Sequence, residues 1–248
     1  MIDEYLKEAE KINKELNVFI TINKNLKEGI PIVVKDNICT KELRTTAGSK
    51  MLEDYIPPFD ATVITKLKKK GFVILGKTNQ DAFGFGTFST NSYFGKPLNP
   101  LDKTKTCGGS SGGTAAFIKA SKTVKYGLGQ STGGSINCPA AFCSVVGLTP
   151  TYGLVSRYGL IDYANSFDRI GPITKTVEDA AHLLTIIAGQ DKKYQTTESK
   201  NEDYTKYLNK AVKGMKIAYI KEALSDNVED EIKTEFLKAI KELEKIDC

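Results

Sequence analysis

Two serine-bearing glycine loops stand close together in the chain: Gly108–Gly113 in CGGSSGGTAA and Gly133–Ser135 in GQSTGGSIN. Dense glycine lets the backbone enter conformations closed to other residues and brings bare N–H groups near a ligand. A serine in such a loop either closes a tight turn or attacks a substrate carbonyl. The second use needs a base to take the hydroxyl proton. The single histidine, His182, lies in VEDAAHLLTIIAG, an apolar-periodic stretch that reads as a helix packed on a core and makes it a half-exposed helix residue. The remaining candidate is a lysine that has lost its proton. Lys35 ends the apolar run GIPIVVK, which reads as a buried strand. Burial disfavours the ammonium and lowers its pKa. A lysine placed there can act as a base near neutrality, where a surface lysine cannot.

The elements that must hold these groups follow from periodicity. Ile2, Tyr5, Leu6, Ala9, Ile12 and Leu16 share one helical face. NVFITIN and GIPIVVK read as strands, joined by the polar link Lys24–Glu28. Asp60 is the expected N-cap of a helix in ATVITKLKKK and Gly71 its stop. FVILGKTN follows as a buried strand, and strand–helix–strand order predicts parallel pairing in an α/β sheet. The stretch from Gln80 to Pro100 is rich in Gly, Ser, Asn and aromatics and has no helix period. Ordered loops of that length are often functional. TAAFIKA predicts a helix, TVKYGLGQ a strand, and PAAFCSVVGL a helix running off the second serine loop. Thr176 and Asp179 read as a capping box for the His182 helix. Asp191–Lys206 reads as a surface loop and MKIAYIK as a strand. Val228, Ile232, Phe236, Ile240 and Leu243 mark a last amphipathic helix.

The motifs GIPIVVKDNI, GKTNQDAFGFGTFSTNSYFGKPLNP, CGGSSGGTAA, GQSTGGSINCPAAFCSVVGLTPTYGLVSRYGL and DRIGPITKTVEDAA occur in one order. In that order they resemble the amidase signature family, most closely its branch of glutamyl-tRNA(Gln) amidotransferase A subunits. The resemblance runs from about Asn17 to the last helix. It implies an α/β fold, a mixed twisted central sheet with helices on both faces. It also implies a Ser–cis-Ser–Lys triad: Ser135 as nucleophile, Ser110 as the bridging serine after a cis peptide bond, and Lys35 as base. The N–H groups around Thr132, Gly133, Gly134 and Ser135 would form the oxyanion hole, and the Gln80–Pro100 segment would wall the site. Departures from the family pattern stand at Ser131, where it has Asp, at Asn137, where it has Arg, and at Ala82, where it commonly has Glu. One extra residue separates the two serines, placed in the Ser121–Lys125 turn.

By the same resemblance, members are roughly twice this length. The expectation is therefore a single amidase-signature domain over residues 1–248, incomplete at its C-terminus. Partners would be B-type and C-type amidotransferase subunits and a chain supplying the C-terminal half. The implied activity is glutamine hydrolysis through a serine acyl-enzyme, the ammonia passing to a partner that converts Glu-tRNA(Gln) to Gln-tRNA(Gln). ATP and Mg²⁺ would sit on the partner, tRNA would be reached only through it, and no cofactor is expected on this chain. The alternatives are a stand-alone amidase for other small amides and a non-catalytic scaffold half of a split amidase.

Composition sets outer limits. The 248 residues carry a net charge of +5, almost wholly from lysine, and five cysteines. A modest, dispersed positive excess reads as solvated surface. Cys39, Cys107, Cys138, Cys143 and Cys248 include no CxxC pair, so a metal site is not expected and free thiols in a reducing cytoplasm are. No apolar run reaches bilayer length, and the charged N-terminus is unlike a signal peptide. Gly108–Gly112 fits G-x-S-x-G, but a nucleophile elbow needs an apolar strand before it and LDKTKT is polar. A phosphate loop would need a Gly-Lys-Ser/Thr ending that is missing.

Overall fold

The computed structural model describes residues 2–197 and 202–246. The chain divides into two compact units between Lys206 and Tyr207. The first holds strands β1 (Phe19–Ile22), β2 (Ile30–Lys35), β3 (Phe72–Thr78), β4 (Tyr126–Ser131), β5 (Val146–Gly147) and β6 (Arg169–Thr174). They form one open mixed sheet in the order β1-β3-β2-β4-β6-β5. β2 pairs parallel with both β3 and β4, while β1, β6 and β5 join antiparallel. Helices cover both faces, as an α/β fold requires.

The continuous apolar runs of the central strands follow from this double cover. Alternate side chains leave opposite faces. Val33 packs with Ala9, Ile12 and Leu16 of α1 (Ile2–Leu16) and with Ala115–Ile118 of α3 (Gly112–Ala120). Its neighbours Ile32 and Val34 pack with Val63, Ile64 and Leu67 of α2 (Thr62–Lys69) and Leu183, Leu184 and Ile187 of α5 (Val177–Ile187). α3 lies close on β4 because β4 carries glycine where they meet. A Cβ at Gly127 would stand 2.7 Å from Thr114 Cγ2, and one at Gly129 3.1 Å from the Oγ of Ser111, the residue that precedes α3.

Three local expectations are corrected. Asp60 does not cap α2: the residue before the helix is Ala61, with no side-chain bond. The Asp60 carboxylate instead accepts from Lys41 N at 2.8 Å and Lys68 Nζ at 2.7 Å. The helix in PAAFCSVVGL, α4 (Asn137–Phe142), ends early. The chain turns at Ser144 with φ +54°, and Val146–Gly147 pairs with β6. Valine suits a pleated sheet better than a helix. Met215–Lys221, in the second unit, forms no strand, and a strand without a ladder partner is not stable. That unit does contain the expected last helix, α6 (Asp230–Lys245), with Phe236 edge-on to Tyr219 at 5.7 Å. The Thr176 cap is present: its hydroxyl accepts from Asp179 N at 3.1 Å. The Asp191–Lys206 stretch and Cys248 lie partly and wholly outside the described residues.

Candidate active site

Lys35 is the last residue of β2 and stands opposite Thr78, the last of β3. The three parallel strands thus end at one edge, the place where open α/β sheets bind ligands. From that edge depart the Gln80–Pro100 loop and the loop after β4. Lys35 is fully buried. Its Nζ lies 2.7 Å from Ser110 Oγ and donates to Gln130 O at 3.0 Å and Gln130 Oε1 at 3.1 Å. Burial pulls the Lys35 pKa from 10.5 to about 7, against the opposing pull of the Asp81 and Asp168 charges.

Ser110 is buried, and the Gly109–Ser110 peptide bond is cis. The neighbouring Ser111 ties the two serine loops together. Its N–H donates to Ser135 O at 3.2 Å and its hydroxyl to Gln130 O at 3.1 Å. Gly109 is required by close approach, since a Cβ there would stand 2.5 Å from Asp81 Oδ2 and 2.6 Å from Ser89 N. Asp81 shapes the long loop: its carboxylate accepts from Ser89 N at 2.9 Å and Asn91 N at 2.8 Å. That curl carries Gly84, Gly86 and Thr87 over the serine loops. Together with Gly109, Thr132–Ser135, Cys138 and Tyr163 they enclose a cavity of about 480 Å³. Phe85, from the same loop, lies tilted at 47° against Tyr163 with ring centroids 4.1 Å apart.

Ser135 therefore lines the cavity, while Lys35 and Ser110 lie buried behind it. Among the described residues no hydrogen bond joins the Ser135 and Ser110 hydroxyls. The N–H groups of Gly133 and Gly134 donate to no main-chain carbonyl there either. A Cβ at Gly133 or Gly134 would meet nothing within 4 Å, so both present bare backbone to open space.

The departures have distinct local outcomes. Asn137 is braced by neutral groups, bonding with Thr149 Oγ1 and donating to Gly147 O at 3.4 Å. Ser131 is buried and its hydroxyl has no partner among the described residues. Arg169, paired with Ser131 across the β4–β6 ladder, donates through Nη2 to Thr132 O at 2.8 Å. It holds the loop from the outside. Sequence reading gave no role to Arg169, Asp168 or Gln130. Asp168 is buried and accepts from Gln130 Nε2 at 2.8 Å, Tyr163 N at 2.7 Å and Ala164 N at 2.9 Å, and bonds the Thr132 hydroxyl. The only signal was the DR dipeptide in the motif DRIGP. His182 is exposed on α5 and does not line this cavity. Cys39, Cys107 and Cys143 are buried free thiols and Cys138 is half-buried.

A sequence model of the family described as Amidase matches residues 1–248. The chain is 50% identical over 233 residues to the second glutamyl-tRNA(Gln) amidotransferase A subunit of Clostridium acetobutylicum, covering 93% of this chain and 48% of that one. It is 49% identical over 244 residues to the glutamyl-tRNA(Gln) amidotransferase A subunit of Sulfurihydrogenibium, covering 98% and 50%. Among solved structures it superposes on the Thermotoga maritima glutamyl-tRNA(Gln) amidotransferase A subunit with a TM-score of 0.93 at 41% identity, covering 99% of this chain and 56% of that one. The peptide amidase of Stenotrophomonas maltophilia gives a TM-score of 0.77 at 33% identity, covering 84% and 48%. The chain spans about half the length of the curated relatives it matches.

Proposed function

The chain belongs to the amidase family, and from that premise we propose that it cleaves a carboxamide through a Ser135 acyl-enzyme. Ser135 Oγ attacks the amide carbon, its proton passes to Ser110 Oγ, and the Ser110 proton passes to Lys35 Nζ. The tetrahedral intermediate collapses as the C–N bond breaks and the amine leaves with the returned proton. Water then releases the acid by the same relay. The Gly133 and Gly134 N–H groups, with that of Thr132 or Ser135, receive the developing oxyanion. The observation that carries this reading is the 2.7 Å contact between Ser110 Oγ and a fully buried amine whose pKa falls to about 7. Such an amine is free to accept a proton near neutrality. The Ser135–Ser110 link closes when substrate fills the cavity, since catalytic hydrogen bonds often tighten only in the complex.

In its finer form, the proposal makes the amide glutamine and the product ammonia, used by B-type and C-type subunits to convert Glu-tRNA(Gln) to Gln-tRNA(Gln) in the cytoplasm. ATP, Mg²⁺ and tRNA belong to those partners. Residues 1–248 then belong to one amidase-signature domain. The similarity to amidotransferase A subunits supports this. The lining of the cavity includes no charged side chain among the described residues. The groups that hold the glutamine α-carboxylate and α-amine would come from elsewhere. The same uncharged lining favours a second reading, an amidase for small neutral amides. Assaying ammonia from glutamine and from propionamide, with and without B-type and C-type subunits, separates the two. Release from glutamine that depends on those subunits supports the finer proposal, and subunit-independent release from propionamide supports the second. If Ser135→Ala leaves release by the assembled complex unchanged, both fail and a scaffold role stands.

A further inference from the structure

We propose that Gln130 is a positioning residue that aims the Lys35 lone pair at Ser110 and couples it to the Thr132 loop. This deepens the reading above and rests on Lys35 being the base. A neutral amine has two N–H donors and one lone pair. Two of the three oxygens around Lys35 Nζ belong to Gln130: its main-chain O at 3.0 Å and its Oε1 at 3.1 Å. The third is Ser110 Oγ at 2.7 Å. When both N–H groups point to Gln130, the lone pair is left facing the Ser110 hydroxyl, which then donates. Without the side-chain acceptor the amine can rotate and turn an N–H towards Ser110, which blocks proton uptake.

The Gln130 amide is itself held against flipping. Its Nε2 donates to Asp168 Oδ1 at 2.8 Å and to Thr132 Oγ1 at 2.9 Å. Its Oε1 also accepts from Asn37 Nδ2 at 3.3 Å. A carboxylate and a carboxamide donor thus fix which end faces the lysine. Asp168 holds Tyr163 N at 2.7 Å, so the base, the Thr132 loop and the Tyr163 wall of the cavity share one buried network.

The test measures phosphonylation of Ser135 by an alkyl fluorophosphonate across pH 5 to 9, read by mass spectrometry of the Ser135 peptide. The Ser135 O–P bond forms, P–F breaks, fluoride leaves, and the hydroxyl proton goes through Ser110 to Lys35. Gln130→Met keeps the length and removes the acceptor. Its plateau rate falls about tenfold, as expected for a misaimed group, and its acidic limb moves to lower pH because the ammonium has lost an acceptor. Gln130→Glu sets a carboxylate beside the amine, and its limb moves to higher pH. Opposite displacements of the limb are not produced by loss of structure alone. If Gln130→Met does not fold by circular dichroism, Gln130→Leu, which also lacks the acceptor, is read in its place. Variants with the parent's plateau and limb overturn the positioning role while leaving the base assignment standing. A Lys35→Ala variant labelled at the parent's rate and pH dependence removes the base assignment, and the positioning role with it.

Discussion

Lys35 can take a proton only as a free amine, and burial brings its pKa to about 7. Ammonia release should therefore rise about tenfold per pH unit below that value and level off above it. Lys35→Ala should lower the plateau by about 10² to 10⁴ and flatten the limb, as a pH–rate profile will show. Thiol chemistry reads the same cavity. Cys138 is half-buried and lines it, whereas Cys39, Cys107 and Cys143 are buried. Burial pushes the Cys107 thiol up to about 12 and Cys143 higher still. Among these four, a maleimide should modify Cys138 first and slow labelling of Ser135, and Cys138→Ser should abolish that sensitivity. Lys35 was legible because a charged residue closing an apolar run has to be reconciled with burial. Gln130 was not. An amide on a strand shows no sign in the sequence of whether it faces water, and its fixing partner Asp168 is 38 positions away.

At the scale of elements, glycine serves opposite ends. Gly113, in the first turn of α3, backs onto main chain: a Cβ would stand 2.5 Å from Asn79 O and 2.6 Å from Val18 O. Neither atom can step aside, so Gly113→Ala should cost roughly 1–3 kcal/mol in denaturant melts with little direct effect on chemistry. Gly133→Ala meets nothing in the protein. It should melt as the parent does and still be slow to acylate, because its methyl occupies substrate space. Removing the α5 cap by Thr176→Ala should cost about 1 kcal/mol. Strands β1 to β4 and helices α1, α3 and α5 were readable because double-sided burial and helical stripes leave strong apolar patterns. Asp60 misled because a good capping residue has other uses: its carboxylate is taken by Lys41 N and Lys68. Met215–Lys221 misled because apolar alternation states what a strand needs and not whether a neighbour supplies it.

At the scale of the molecule, two lysines among the described residues are fully buried, Lys35 and Lys77, and burial lowers their pKa values to about 7 and about 8. The unfolded chain holds these protons up to the ordinary lysine value of 10.5. Each burial therefore costs most below its folded pKa, and the cost fades as pH rises towards 10.5. For Lys35 it is on the order of a few kcal/mol. Lys35→Met should thus raise the melting temperature most near pH 6, with the gain shrinking by pH 9, while hydrolysis is lost. A variant that gains equally at both pH values would contradict this. One consequence of the sealed amine concerns electrolyte. Its direct contacts are the uncharged oxygens of Ser110 and Gln130, out of reach of dissolved ions. Sodium chloride screens exposed charges and leaves buried ones largely untouched, so the chemical step should run at one speed from dilute buffer to brine.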